Sequence, residues 1–294
     1  MSIPRRQERL AGRHALVDGI PFTMPVATDQ SPALMAAFSI DPEAARALIP
    51  GNEVHPFRLW KRGLLLVTVI DYIHTNIGRY IEFSIAIACT HGTRPGPRLL
   101  PALLMKIYGT GQYVWDLPVS TEISVKGGKG IWGMPKHQAS LDFVIGNAWV
   151  SSQYDLDGQM LMRIDVSKPA SAWLPLNMGA ANYCGFRGML MKSCIYFNGH
   201  LGFSLFKRGS ARLLLGEHPR MAPLKMLDIR PDPVFAGFFP SINGALDDYM
   251  ECWFVTEEQA ITHPMEGLET TYGLGQSQTW LPPPRRAVDW ERGP

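Results

Sequence analysis

The sequence predicts a mostly β fold (α+β), in which short strands close into a largely antiparallel sheet accompanied by a few short helices. Three observations carry that prediction. Tyr80–Thr90 alternates with period two, setting Ile81, Phe83, Ile85, Ile87 and Cys89 on one face and Tyr80, Glu82, Ser84, Ala86 and Ala88 on the other. Leu64–Ile70 is an apolar, β-branched run suited to a strand buried on both faces. Beyond residue 140, short apolar stretches are separated by Gly, Asn, Asp or Lys-Pro turns, the rhythm of an antiparallel sheet that closes on itself.

The remaining elements follow from local chemistry. Residues 1–30 are mixed and turn-prone, which suits an arm or a peripheral strand pair. Asp41-Pro42-Glu43 offers an N-cap, a proline for the first turn and an early carboxylate, so Ala44–Ile49 reads as a short helix stopped by Pro50-Gly51. Residues 98–107, bounded by Pro101 and Gly109, form another short helix, and Pro118–Val125 alternates as a strand. Leu141–Ile145, Ala148–Tyr154, Leu161–Val166, Met189–Phe197 and Gly202–Phe206 read as further strands, and Pro240–Met250 as a helix. Residues 255–294, with Pro282-Pro283-Pro284-Arg285-Arg286, are too proline-rich for regular structure and make a C-terminal extension that packs extended or stays loose. With 294 residues, 46% of them apolar, a single domain spanning 1–294 can bury a substantial core.

Composition excludes several classes of function. A formal charge of +2 gives no electrostatic footprint for nucleic acid. The longest apolar runs fall far short of the roughly 20 residues that cross a bilayer, and no apolar segment follows the N-terminal arginines as it would in a signal peptide. Cys89, Cys184, Cys194 and Cys252 have neither zinc-site spacing nor the density of a disulfide scaffold, which fits a reducing, cytoplasmic setting. Eight histidines show no HxH or HExxH spacing, and neither GxSxG nor a dinucleotide fingerprint occurs, so no metal and no cofactor is expected.

The most informative segment is Val125–His137, VKGGKGIWGMPKH. It sets Lys136 behind a stiff Trp-Gly-Met-Pro approach and a run of glycines, a poor design for a solvated lysine. The WGMPK core resembles the signature of the acetoacetate decarboxylase family, in which a lysine after an aromatic-containing tetrapeptide ending in proline forms an imine with a keto acid. Gly78–Glu82 (GRYIE) is similar to the family's glycine, tyrosine and glutamate on the strand lining the same pocket. Arg212–Asp228 (RLLLGEHPRMAPLKMLD) resembles a family segment of similar length with the same Met-Ala-Pro-Leu centre. The resemblance implies a cone-like antiparallel β-barrel wrapped by additional strands, a cofactor-free lyase for a small oxo acid, and a homo-oligomer. It also implies Lys136 as imine former and Glu82 as acid/base, with Tyr80 on the strand that lines the pocket; Trp132 and Met134 read equally as pocket wall or plain core, and His137 as a pocket neighbour with a structural role. Glu122, on the alternating Pro118–Val125 stretch, is a second acid/base candidate.

An imine forms only from a neutral amine, and a free lysine is neutral in roughly one molecule in 2,500 at pH 7. Either burial or a neighbouring cation can disfavour the ammonium. Where the family's best-known members carry a second lysine, this chain has His137, and adjacent residues of an extended segment point to opposite faces. Burial is therefore the expected cause. Two further family residues are missing: no arginine stands near Gln30–Pro32, and the position of a second glutamate falls in Leu64–Leu66. Arg58, Arg79, His74 and Arg187 are possible replacements for the arginine. These losses argue for a larger or more apolar oxo compound than acetoacetate, as do Trp115, Trp132, Met134 and Met189–Met191. The first reading is thus an imine-forming decarboxylase. The alternatives are an imine-forming aldolase or dehydratase that releases no CO2, and a noncatalytic barrel that binds small apolar molecules.

Overall fold

The computed structural model describes residues 2–256 and 270–286. Helix α1 (Ile3–Leu10) precedes a hairpin of β1 (His14–Val17) and β2 (Ile20–Thr23), then β3 (Val26–Ile40) and α2 (Pro42–Arg46). Next come β4 (Val54–Pro56), β5 (Gly63–Tyr72), β6 (His74–Thr75) and β7 (Tyr80–His91), followed by α3 (Leu100–Leu103) and β8 (Gly111–Val119). Helix α4 (Glu122–Trp132) leads into β9 (Lys136–Gln138), β10 (Ser140–Leu141), β11 (Val144–Ile145), β12 (Trp149–Leu156) and β13 (Gln159–Ser167). The chain ends its regular part with β14 (Leu174–Phe186), β15 (Met189–Leu205), β16 (Ala211–Leu215), α5 (Ala222–Lys225) and β17 (Pro233–Phe254).

Seven of these strands close a barrel in the order β7-β5-β3-β17-β15-β14-β8, with β8 returning to β7. A ring with an odd number of strands cannot alternate direction all the way round, so one parallel seam is unavoidable. It lies between β8 and β14, where Gln112 pairs with Asn182 and Tyr113 with Tyr183. A second sheet, β10-β12-β13-β16 with β11 on β12, packs against the barrel's outer wall. Phe83 meets Tyr154 there with ring centroids 5.9 Å apart.

Both strands singled out in the sequence behave as their patterns require. Ile81, Phe83, Ile85, Ile87 and Cys89 point into the core between the barrel and the second sheet, while Tyr80, Glu82, Ser84 and Ala88 line the barrel's interior. In β5, Leu65, Val67 and Val69 enter the same core and Leu64, Leu66, Thr68 and Ile70 face the interior. The run lacks alternation because both its faces are inside the protein.

Other expectations need correction. Pro118–Val125 is not one strand: β8 stops at Val119 and Glu122 opens α4. Glycine inside a helix costs about 0.5–1 kcal/mol relative to alanine, but here it permits close packing. A Cβ at Gly127 would overlap Phe22, and one at Gly130 would overlap Val17. Pro240–Met250 is not a helix but part of β17, held between β3 and β15. The missing N–H of Pro240 falls in a register irregularity between Phe239 and Ile242, where a proline is tolerated. Met189–Phe197 and Gly202–Phe206 join, to Leu205, in β15 across a further irregularity. In the 98–107 segment only Leu100–Leu103 is helical.

The N-terminal residues give the expected hairpin, and also α1, docked through Arg6 and Arg9 on the buried carboxylate of Asp247 at 2.8 and 2.6 Å. Val26 onward belongs to the barrel itself. Beyond a turn at 270–273, residues 274–286 have no helix or strand and lie along the protein, pinned by Arg286 on Asp142 and by a 2.9 Å hydrogen bond from Gln138 Nε2 to the Thr279 carbonyl. Residues 257–269 and 287–294 of the C-terminal extension lie outside the described residues. No described helix is long and apolar enough to cross a membrane.

Gly133 ends α4 in the left-handed conformation (φ +67°), and a Cβ there would lie 2.8 Å from Phe186. Gly133→Ala is expected to cost about 1–3 kcal/mol through backbone strain and overlap. Thermal unfolding checks this; a protein of this size should melt several degrees lower.

Candidate active site

The turn after α4 delivers the lysine. Once Gly133 has reversed the chain, Met134 N–H donates to the Gly128 carbonyl at 3.2 Å, and Pro135 leads into β9, which pairs in parallel with β8 through Leu117 and Lys136. This places the Lys136 side chain inside the barrel. Its amine lies 2.7 Å from Glu82 Oε2 and donates to Ser124 Oγ at 3.1 Å. Gly128 makes the space, since a Cβ there would come within 2.6 Å of Lys136 Cε.

Two phenols complete this end of the cavity. Tyr72 and Tyr80 face each other in register across β5 and β7 and stack with centroids 4.6 Å apart. Tyr72 donates to Glu82 Oε1 at 3.3 Å, and the Lys136 amine sits 5.3 Å from the centre of the Tyr80 ring. Burial, and then the Glu82 charge, push both phenols well above the usual tyrosine range, so both stay protonated and able to donate.

The cavity has a volume of about 500 Å³ and is lined from all seven barrel strands, mostly by apolar side chains. Among the described lining residues, Lys136 and Glu82 are the only ones with formally charged side chains. Arg58 is instead paired with Glu43 at 2.5 Å and Arg79 with Asp71 at 2.8 Å, and neither His74 nor Arg187 lines the cavity. No cluster of three or more potential metal ligands occurs among the described residues.

Of the residues singled out from sequence, Lys136, Glu82, Tyr80 and Met134 therefore meet at the cavity, and three do not. Trp132 is buried beside Leu10 and Met24, with its indole N–H on the Asp247 carbonyl at 3.0 Å. Glu122 accepts from Gly275 N–H at 2.7 Å at the start of α4, outside the cavity. His137 points to the opposite side of β9. Its Nε2 bonds the Tyr154 hydroxyl at 2.9 Å, and Nδ1 lies 3.5 Å from the Arg220 guanidinium, which forks onto Asp116 at 2.7 and 3.1 Å. Arg220 stands in the Arg212–Asp228 segment that resembles the family, so this segment braces the lysine's strand from outside the cavity. Trp115 packs on the outer core, and Met189–Met191 lies outside the cavity lining.

Sequence reasoning missed Tyr72 and Ser124. Tyr72 had a signal, as the aromatic closing the apolar run opposite Tyr80. Ser124 was hidden by the strand reading of Pro118–Val125.

A closed barrel holding a lysine–carboxylate pair at one end defines a class of enclosed small-molecule site. The acetoacetate decarboxylase family model matches residues 12–175, more than half the chain, and the chain belongs to that family. No curated protein sequence matches it. Among solved structures, the acetoacetate decarboxylase of Legionella pneumophila subsp. pneumophila str. Philadelphia 1 shares 14% identity at a TM-score of 0.54, over 76% of this chain and 85% of that one. A second acetoacetate decarboxylase shares 15% at a TM-score of 0.55, over 79% and 90%. The enduracididine biosynthesis enzyme MppR, in complex with pyruvate, shares 16% at a TM-score of 0.51, over 78% and 90%.

Asp116 is fully buried and holds Arg220, whose side chain is 35% exposed. Asp116→Ala removes the bidentate carboxylate from that guanidinium and loosens the brace on β9, and is expected to cost about 2–4 kcal/mol, less than a fully buried pair because the arginine is partly solvated. Urea unfolding should show a lower midpoint with an unchanged slope.

Proposed function

We propose that this protein is an imine-forming lyase that decarboxylates a β-keto acid or related oxo acid on Lys136. The observation that carries the reading is the 2.7 Å contact between the Lys136 amine and Glu82 inside a cavity with no other charged side chain among its described lining residues. Glu82 is placed to take a proton from the ammonium, and the neutral amine then adds to the substrate carbonyl. Glu82 returns that proton as water leaves the adduct, which gives a protonated imine. The bond to the carboxylate breaks, CO2 leaves, and the electron pair moves into an enamine. A second proton, taken up from water and delivered through Glu82, goes to the enamine carbon, after which water hydrolyses the imine, releases the ketone and restores the lysine. Ser124 and Tyr80 hold the amine in place, and Tyr72 fixes the carboxylate.

The apolar lining favours the carbon–carbon cleavage. Apart from the imine nitrogen, no described lining residue offers a substrate carboxylate a cation, so the carboxylate is a poorly solvated anion until it departs as neutral CO2. Membership of the acetoacetate decarboxylase family supports the same chemistry. The second reading keeps the imine and uses the enamine for addition or dehydration. MppR, similar in fold, has been solved both with pyruvate and with the condensation product of pyruvate and imidazole 4-carboxaldehyde. The noncatalytic binding barrel remains the third reading.

Borohydride trapping with a panel of oxo acids, read by intact mass and peptide mapping, should place the adduct on Lys136, with CO2 evolved in parallel samples lacking borohydride. Lys136→Ala should abolish both signals. Glu82→Gln should still trap substrate but turn over at least about 100-fold more slowly, the usual scale of a lost proton-transfer group. An adduct without CO2 would favour the second reading, and no adduct with any oxo acid would favour the third.

A further inference from the structure

The cavity is far larger than the chemistry at Lys136 needs, and its lining away from Lys136 is not featureless. At the share of liquid volume taken by one water, about 30 Å³, a cavity of about 500 Å³ holds roughly 17 water-sized groups, more than twice what a four-carbon oxo acid fills. The surplus runs along β8. Leu117, beside Lys136, is five residues from Gln112, about 16 Å along the strand. The wall between them is formed by Val114, Leu66 and Met35 together with Ile195, Phe197 and Leu246 from the facing strands.

Part-way along the cavity the parallel seam sets two amides side by side, and the lining continues past them along β14 through Ala180, Met178 and Leu176. Gln112 Nε2 donates to Asn182 Oδ1 at 2.8 Å, and both residues line the cavity, Asn182 being 8% exposed. That bond leaves Gln112 Oε1 as an acceptor and Asn182 Nδ2 as a donor on the cavity side of the fold. Two amides have no packing advantage over leucine at this seam, and buried amide groups without partners are costly. A ligand group that both accepts and donates satisfies them together. A charged group would not, because the described lining offers no counter-ion there.

We propose that Gln112 and Asn182 form a distal subsite, and that the substrate is an elongated oxo acid. Its carbonyl sits at Lys136, its apolar chain fills the barrel, and it carries at the far end a neutral donor–acceptor group such as a carboxamide or a hydroxyl. The carbonyl end of this assignment rests on the imine reading; the distal subsite does not.

The test compares pyruvate, 2-oxotetradecanoate and the chain-end carboxamide of 2-oxotetradecanoate, whose chain is long enough to span the distance to Gln112, in borohydride trapping on the intact protein. Half-saturation is expected to fall at least tenfold from pyruvate to the plain chain, and severalfold more with the carboxamide. In Gln112→Leu/Asn182→Leu the carboxamide's advantage over the plain chain should disappear; if thermal unfolding shows that this variant does not fold, Gln112→Met is read in its place. Equal trapping of all three acids, or a carboxamide advantage that survives the substitutions, overturns the proposal. Calorimetry with decanamide, which has no oxo group, separates the two readings. Binding of decanamide that weakens in the amide variants, with no adduct from any oxo acid, supports the subsite and removes the imine. Adducts that ignore chain length, with no decanamide binding, remove the subsite and keep the imine.

Discussion

The contact between Lys136 and Glu82 is the constraint around which the barrel is organised. An ion pair withdrawn from water loses solvation that its mutual attraction offsets only when the geometry is good and the remaining polar positions are filled. Here Ser124 takes one amine hydrogen and Tyr72 donates to the second carboxylate oxygen. Each of the four groups comes from a different element: β9, β7, α4 and β5. The pair can exist only if all four are held in register, which a closed sheet does and an open one, free to shear, does less well.

The glycines of α4 serve the same constraint. A helix seldom carries three glycines in four positions, and the loss of helix propensity is offset here by contact distances that no side chain would allow. Gly128 is the decisive one, because the lysine's methylenes occupy the place of its missing side chain. Outside the barrel, the Asp116–Arg220–His137–Tyr154 network anchors β9 from its other face. The lysine is thus gripped from both sides of a three-residue strand that has few hydrogen bonds of its own.

Much of this was legible in the sequence, and the failures have physical causes. The faces of Tyr80–Thr90 could be read because a barrel wall has two chemically distinct sides, one facing a dense core and the other a cavity that tolerates small and polar residues. The WGMPK segment could be read because Pro135 and Gly133 restrict the backbone locally. Glu122 and Pro240–Met250 were misread because short polar–apolar patterns fit either period, and only the long-range contacts of α4 with Phe22 and of β17 with its two neighbours decide between helix and strand. Trp132 was misplaced for a related reason. Sequence proximity to Lys136 says nothing about which side of the turn after α4 an indole will take, and its N–H found the carbonyl of Asp247, 115 residues away.

Where the polar groups sit also bears on what kind of selectivity the cavity can have. A hydrophobic wall distinguishes ligands differing by one methylene by only about 1–3 kcal/mol, whereas a buried hydrogen-bonding group left without its partner penalises the wrong ligand far more heavily. Replacing a charged contact by apolar residues near Lys136 therefore trades sharp recognition of a carboxylate for graded recognition of length and shape. Sharp discrimination then rests with the hydrogen-bonding groups of the lining, among them the lysine–carboxylate pair and the two amides. On the proposed reading, the first tests the electrophilicity of the carbonyl, and the second the hydrogen-bonding capacity of the distant terminus. Lys136 pairs with Leu117 of β8, and Asn182 with Gln112 of the same strand, so the spacing of the two polar sites is anchored in the backbone of one strand, and an occupant that satisfies only one of them leaves the other's hydrogen-bonding groups without a partner from the ligand.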